Sequence, residues 1–254
     1  MSALINFRDF GGTALRSGRN VRSDTLYRCG QLSTIDEATL QRLVELNFDL
    51  VIDLRYPDER RISPSPWPGN YTERVVSHDG EGEGDADAPH HILFRAGIGA
   101  DRAIEQRYIA FYSRLPFDPD YQPLFGHALR RMAEGRGRVL VHCSAGKDRT
   151  GVLCALLLSA LEVPWPVIMA DYLRSSEAQK SAELRAEVVI RAGQYDESKL
   201  SDALITAVLG VAPAYLDAAF ETIRTRCGSV QAYLDAIGVD NGVRAQLRRS
   251  FIDG

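Results

Sequence analysis

Apolar residues change their spacing along this chain, and the change separates a strand-and-loop opening from a helical remainder. Over residues 1–40 short apolar pieces alternate with Gly- and Asn-containing turns, the pattern of a small β-rich segment. Ser33-Thr34-Ile35-Asp36-Glu37 then sets hydroxyls ahead of acidic residues and an apolar periodic run through Leu46, which predicts a helix start. Residues 48–54 are short and mostly apolar, as in a buried strand; Pro57 opens a charged helical turn, and residues 71–76 form another candidate strand. Helical spacing returns over residues 102–114 and 121–133, where the stripe Tyr108, Phe111 and Tyr112 is expected to face the core. Residues 138–142 read as a strand after the turn Gly135-Arg136-Gly137, and a strongly apolar helix is expected over residues 149–161, ended by Pro164 and Pro166. Beyond it, to Phe251, lie several helices with breaks near Gly193, Gly210 to Pro213, Gly228 and Gly238.

Strands first and helices after predict an α/β fold, a central mixed or parallel sheet flanked by helices with a helical C-terminal half. No Pro/Gly/Ser-rich linker divides the 254 residues, so 1–254 is read as a single domain. Residues 78–89 are Gly-rich and acidic without apolar periodicity, and are expected to form an exposed loop.

Composition narrows the partners. A formal net charge of −4 gives no reason to expect nucleic acid, and an acidic chain attracts anions only through a local arrangement of donors. Cys29, Cys143, Cys154 and Cys227 are too scattered for a zinc motif and too few for a disulfide framework, which suits a reducing, cytoplasmic compartment. Residues 1–16 lack the apolar run of a signal peptide, leaving export by another route open, and the longest apolar stretch, 152–158, is too short to span a bilayer. His78, Asp79, Asp85, Asp87, His90 and His91 lack metal-ligand spacing, so no metal is expected.

The chemistry is concentrated in His142-Cys143-Ser144-Ala145-Gly146-Lys147-Asp148-Arg149-Thr150-Gly151, between a strand and a helix. A loop of this length can aim its N–H groups at one centre, where the helix N-terminus adds positive potential. Ser144, Ala145, Gly146 and Lys147 supply that backbone, Gly146 permits the sharp turn, and Arg149 can reach back to grip two phosphate oxygens. The same field favours the thiolate of Cys143, which becomes a nucleophile for in-line attack on phosphorus. Thr150 is placed to hydrogen-bond the sulfur as it leaves in the second step, and His142 to orient the loop. This chemistry requires no cofactor.

The segment resembles the signature of the cysteine-dependent protein tyrosine phosphatase superfamily. With it, Asn6-Phe7-Arg8-Asp9-Phe10-Gly11-Gly12, Tyr27-Arg28-Cys29-Gly30-Gln31-Leu32 and Val51-Ile52-Asp53-Leu54-Arg55 resemble, in order, motifs of the bacterial tyrosine/lipid phosphatases of the mycobacterial PtpB type. The resemblance implies a phosphatase-type fold with a helical lid within residues 176–209. It also implies action on phosphotyrosine, often on phosphoserine or phosphothreonine, and in several members on phosphoinositides. Cys29 departs from the serine expected there. It is read as a buried small side chain, with a protective disulfide to Cys143 as the alternative.

The acid that protonates the leaving group has several candidates. Asp148 lies inside the cradle, where bound phosphate and thiolate favour its protonated form; its other reading is a dipole-complementing helix-start residue. Asp79, Asp118 and Asp120 are the upstream candidates. Asp53 is expected at a strand end with Arg55 holding it or a substrate, and Lys147 adds a rim cation that would favour substrates with extra phosphates. Two other functions use the same residues: a catalytically silent module that binds a phosphorylated ligand, and sulfur transfer of the rhodanese type. The expected partner is a phosphorylated protein or phosphoinositide; oligomeric state is open.

Overall fold

The computed structural model describes residues 4–78, 101–135, 137–180, 185 and 202–253. Five strands, β1 (Arg8–Asp9), β2 (Leu26–Cys29), β3 (Phe48–Asp53), β4 (Val75–Ser77) and β5 (Arg138–His142), form one sheet in the order β1-β2-β5-β3-β4. Only β1 runs antiparallel to its neighbour; the other pairings are parallel. Crossover helices must then cover both faces, and the strands read as continuous apolar runs, as Leu50 to Ile52 and Val139 to Val141 do. The α/β architecture is the one the apolar spacing predicts.

Side chains on a strand alternate between faces, and the clusters follow that period. Leu26, Val139 and Val141 join the main core, while Tyr27, Cys29 and Leu140 join a second cluster with Leu43 and Phe48. Helix α1 (Glu37–Glu45) covers the second face. It begins at Glu37 because the Asp36 carboxylate accepts the Thr39 N–H at 2.9 Å, so the cap is Asp36 and not the earlier hydroxyls. A short helix α2 (Pro57–Ile62) follows β3. The main face carries α3 (Asp101–Arg114), α4 (Tyr121–Glu134), the buried α5 (Asp148–Ala160), α6 (Trp165–Leu173), α7 (Asp202–Leu209), α8 (Pro213–Cys227), α9 (Val230–Ala236) and α10 (Asn241–Phe251).

Residues 71–76 differ from expectation. A 3-10 turn, Gly69–Arg74, occupies most of them and the strand is confined to Val75–Ser77. Tyr71 is committed to packing: its ring stacks on Trp67 at 4.7 Å, and its hydroxyl donates to the Val44 carbonyl. Of the lid expected within 176–209, the described residues are part of a 3-10 turn, Arg174–Lys180, then Arg185, and α7. Of the acidic loop only His78 is among the described residues, and the break near Gly193 lies outside them.

Residues 20–22 meet residues 251–253. Val21 bridges Ile252 antiparallel, Arg22 N–H donates to the Phe251 carbonyl at 2.7 Å, and Asp253 N–H donates to Asn20 at 3.0 Å.

Parallel register brings four strand ends into one row. Cys29 and Asp53 both lie beside His142, and Ser77 lies beside Asp53. The loop after β5 therefore emerges at the carboxyl edge of the sheet, where open α/β sheets bind ligands. Among the described residues no helix is long and apolar enough to cross a membrane.

Candidate active site

The loop after β5 closes on its own sulfur. Cys143 is buried, and the N–H of Gly146 donates to its Sγ at 3.3 Å. Gly146 has φ +69°, and a Cβ there would sit 2.3 Å from the Cys29 carbonyl oxygen, so both the turn and the packing against β2 demand glycine. Lys147 is the N-cap of α5, which leaves the first-turn N–H groups of that helix without helical acceptors beside the thiol. Thr150 is buried at the same turn, and its hydroxyl makes no hydrogen bond among the described residues.

Arg149 folds back over the loop. Its Nη2 donates to Ser144 Oγ at 3.2 Å, and its two terminal nitrogens meet Glu59 at 2.5 Å (Nη1 to Oε2) and 2.9 Å (Nη2 to Oε1). The Tyr121 hydroxyl lies 3.0 Å from Nη1, and Ser144 also donates to Glu59. Glu59 is positioned by the first turn of α2, where the Tyr56 N–H donates to the same carboxylate at 2.8 Å. Burial alone would raise the Glu59 carboxyl, but the Arg149 guanidinium overrides it and holds the group well below the usual carboxylate range. The fork expected to receive phosphate thus rests on a carboxylate.

Behind the loop lies a second arginine cluster. Arg28, fully buried, donates to Asp171 Oδ2 at 2.8 Å and to the Gly146 carbonyl at 3.0 Å. Arg8 donates to Asp171 Oδ1 at 2.9 Å, and Asn6 Nδ2 to the Gly146 carbonyl at 2.6 Å. These donors hold the Gly146 carbonyl, while the N–H of the same residue faces the sulfur. Burial, then repulsion from Arg28, lowers Arg8 to about 10, which still leaves both guanidiniums charged at neutral pH against the single Asp171. The segments around Asn6 and Arg28, singled out as motifs, therefore act as scaffold for the signature.

Asp148 projects from the first turn of α5. Its Oδ1 accepts from the Tyr112 hydroxyl at 2.7 Å and lies 3.4 Å from Lys147 Nζ. Tyr108, Phe111 and Tyr112 are buried, as the stripe predicts, yet Tyr112 also reaches the site. Lys147 is not the rim cation expected. Its ammonium is buried, donates to the Gly210 carbonyl at 2.7 Å and sits 4.7 Å over the Tyr108 ring. Burial lowers its pKa, against the nearby Asp148. Tyr108 in turn donates to the Val208 carbonyl, so the end of α7 is fastened to this corner of the loop.

Of the two readings open to Arg55, holding Asp53 or a substrate, the structure shows the first. Arg55 donates to Asp53 through Nε at 2.9 Å and Nη2 at 2.7 Å, both residues are buried, and Arg55 also holds Ser63 and Ser65. Their charges brace the segment between β3 and α2 that presents Glu59. His142, fully buried with Nε2 3.6 Å from Asp53, is pushed down to about 4 by burial and is neutral at pH 7. Cys29 and Cys143 are free thiols, and Cys29 packs in the second cluster while Cys143 belongs to the main core. Burial pushes the Cys29 thiol well up. Of the upstream carboxylates, Asp118 accepts the N–H groups of Asp120 and Tyr121, and Asp120 pairs with His78 at 3.1 Å. Asp79, Asp85, Asp87, His90 and His91 lie outside the described residues.

Glu59, Tyr112, Tyr121 and Asp171 carry no sequence signal of their own. Glu59 and Arg149 are 90 residues apart, and Tyr112 and Asp148 are 36 apart, so only folding reveals the pairs.

A cysteine thus lies at the carboxyl edge of a mostly parallel sheet, in a loop that caps a helix and over which an arginine folds, and comparison with known proteins gives the family of the chain. The model of the tyrosine phosphatase family matches residues 1–253, and the chain belongs to that family. It is 32% identical over 270 residues to the triple specificity protein phosphatase PtpB of Mycobacterium tuberculosis, covering 96% of this chain and 95% of that one. A protein of Cupriavidus necator named as a tyrosine-protein phosphatase is 34% identical over 255 residues, covering 99% of this chain and 87% of its own. A tyrosine-protein phosphatase of Nostoc commune is 28% identical over 159 residues, covering 61% and 50%.

Proposed function

We propose that the chain hydrolyses phosphate monoesters through a cysteinyl-phosphate intermediate, on phosphotyrosine and with capacity for phosphoserine, phosphothreonine and phosphoinositides. The observation that carries this reading is the loop geometry: Cys143 Sγ accepts a loop N–H at 3.3 Å while Arg149 folds back to Ser144 five residues away. Attack by the thiolate forms the S–P bond and breaks the ester P–O bond, with loop amides and Arg149 stabilising the equatorial oxygens. Asp148 donates the proton to the leaving oxygen and recovers it from the water that cleaves S–P. Thr150, buried without a partner among the described residues, hydrogen-bonds the departing sulfur.

The name of the mycobacterial relative, triple specificity, motivates the wider substrate range. For substrates with additional phosphates, Lys147 would have to exchange the Gly210 carbonyl for the ligand. Rates on phosphotyrosine peptide, phosphoserine peptide and phosphoinositide, measured side by side, test the range.

For the mechanism, Cys143→Ser should abolish turnover of an aryl phosphate, and acid quench of wild type should trap phosphate on the protein. Phosphate binding with no turnover by wild type would make the site a silent binding module. Thiosulfate consumption without phosphatase activity would make it a sulfurtransferase. Asp148→Asn should slow esters with poor leaving groups far more than activated ones, and equal losses would remove Asp148 as the acid.

A further inference from the structure

We propose that Tyr112, oriented by Tyr172, is a positioning residue for Asp148 and fixes which carboxyl oxygen exchanges the proton with the leaving group. The inference rests on the reading of Asp148 as the acid.

The hydroxyls form a chain with a defined direction. Tyr172 donates to the Tyr112 oxygen at 2.8 Å, and Tyr112 donates to Asp148 Oδ1 at 2.7 Å. A phenol has one proton to give, so accepting from Tyr172 commits the Tyr112 proton to Asp148. Lys147 Nζ approaches the same oxygen at 3.4 Å. With Oδ1 engaged by donors, the transferable proton of the neutral carboxyl resides on Oδ2.

Packing alone does not account for these hydroxyls. Tyr112 and Tyr172 are buried among apolar residues, their rings edge to face at 6.2 Å, and phenylalanine would fill the same volume without a polar atom to satisfy. Both rings are also held rigidly. Tyr172 packs against Gly151, where a Cβ would come within 3.0 Å of its ring carbons, and Tyr112 contacts the Tyr215 ring at 5.7 Å. Tyr172 adjoins Asp171 on α6, so one helix end braces the rear of the loop and the acid at its front.

The chemical benefit lies in the charge change. In the first step the ester P–O bond breaks, its electron pair goes to the leaving oxygen, and that oxygen takes the proton from Oδ2. Asp148 becomes a carboxylate, and the neutral Tyr112 bond becomes charge-assisted as the proton leaves. Tyr112 keeps its own proton throughout. In the second step Oδ2 takes a proton from the attacking water as S–P breaks.

The test is Tyr112→Phe, assayed on aryl phosphates graded by leaving-group acidity. The expected result is a fall in kcat of about tenfold or more for the poorest leaving group, a fall of less than about threefold for 4-nitrophenyl phosphate, and little change in KM. Tyr172→Phe should give the same leaving-group dependence with smaller size, and it carries the test if Tyr112→Phe does not fold. In an Asp148→Asn background, Tyr112→Phe should cost nothing further. Equal losses across the series, or an undiminished loss in the Asp148→Asn background, would overturn the proposal. If Asp148→Asn itself shows no leaving-group dependence, the acid assignment fails first, an outcome separate from failure of Tyr112 alone.

Discussion

Two arginine–carboxylate clusters hold the same loop from opposite sides, and they are built for different work. In front, Arg149 meets Glu59 one to one, with side chains 11% and 22% exposed. Behind, Arg8 and Arg28 share Asp171, with side chains 9%, 0% and 5% exposed. The front pair is neutral and only partly buried, Glu59 being its more exposed member, so its fork can exchange a carboxylate for an incoming anion. The rear cluster is sealed and keeps an excess positive charge beneath the amides, which favours anions in the cradle without touching them. A guanidinium that must move is thus paired differently from those that must not.

Removing Asp171 should have the largest effect. Asp171→Ala leaves two buried cations without their carboxylate, a change that costs about 3–5 kcal/mol in comparable buried pairs. Urea denaturation would measure it, and a loss below about 1 kcal/mol would erase the distinction between front and rear. Glu59→Gln should cost less stability, because its side chain is 22% exposed and the neutral amide can still accept from Arg149, yet lower kcat/KM by about tenfold because Arg149 loses its guide. Tighter inhibition by inorganic phosphate with undiminished turnover would instead make Glu59 a competitor for the fork.

The smallest effect near neutrality is a slope with pH. His142 is lowered from 6.5 to about 4 by burial, so below 6.5 the unfolded chain takes up a proton that the folded one refuses. The His142 contribution is therefore fully present above 6.5 and is lost as pH drops toward about 4. Glu59, held low by Arg149, adds an acid loss beginning nearer the ordinary carboxylate range, about 4.3. Thermal melts between these limits should show a flatter profile for His142→Asn. An unchanged slope would place the acid sensitivity elsewhere.

The contrast also explains what the sequence could disclose. The nearness of Cys143, Gly146 and Arg149 is legible because they are contiguous in the loop from His142 to Gly151. The helices were legible where apolar spacing is strong, as in residues 121–133, and where Gly or Pro interrupts it, as at Gly210 to Pro213 and Gly228. Residues 71–76 misled because Tyr71 and Val75 look strand-like, while stacking of Tyr71 on Trp67 decides the local turn. Lys147 reads as a rim cation because a lone lysine in a loop is ordinarily solvated. Its burial depends on a carbonyl 63 residues away. Asp53 and Arg55 read either as a pair or as a substrate contact, and two residues apart they satisfy one another.

The bridge between Val21 and Ile252 has a practical consequence. The segment it pins is continuous, through β1 and β2, with Arg8 and Arg28, whose guanidiniums steady the phosphate loop. Deleting Ile252 and Asp253, or fusing a bulky partner directly after them, should therefore impair turnover before it unfolds the protein. Affinity handles for this enzyme belong on a spacer, away from that seam.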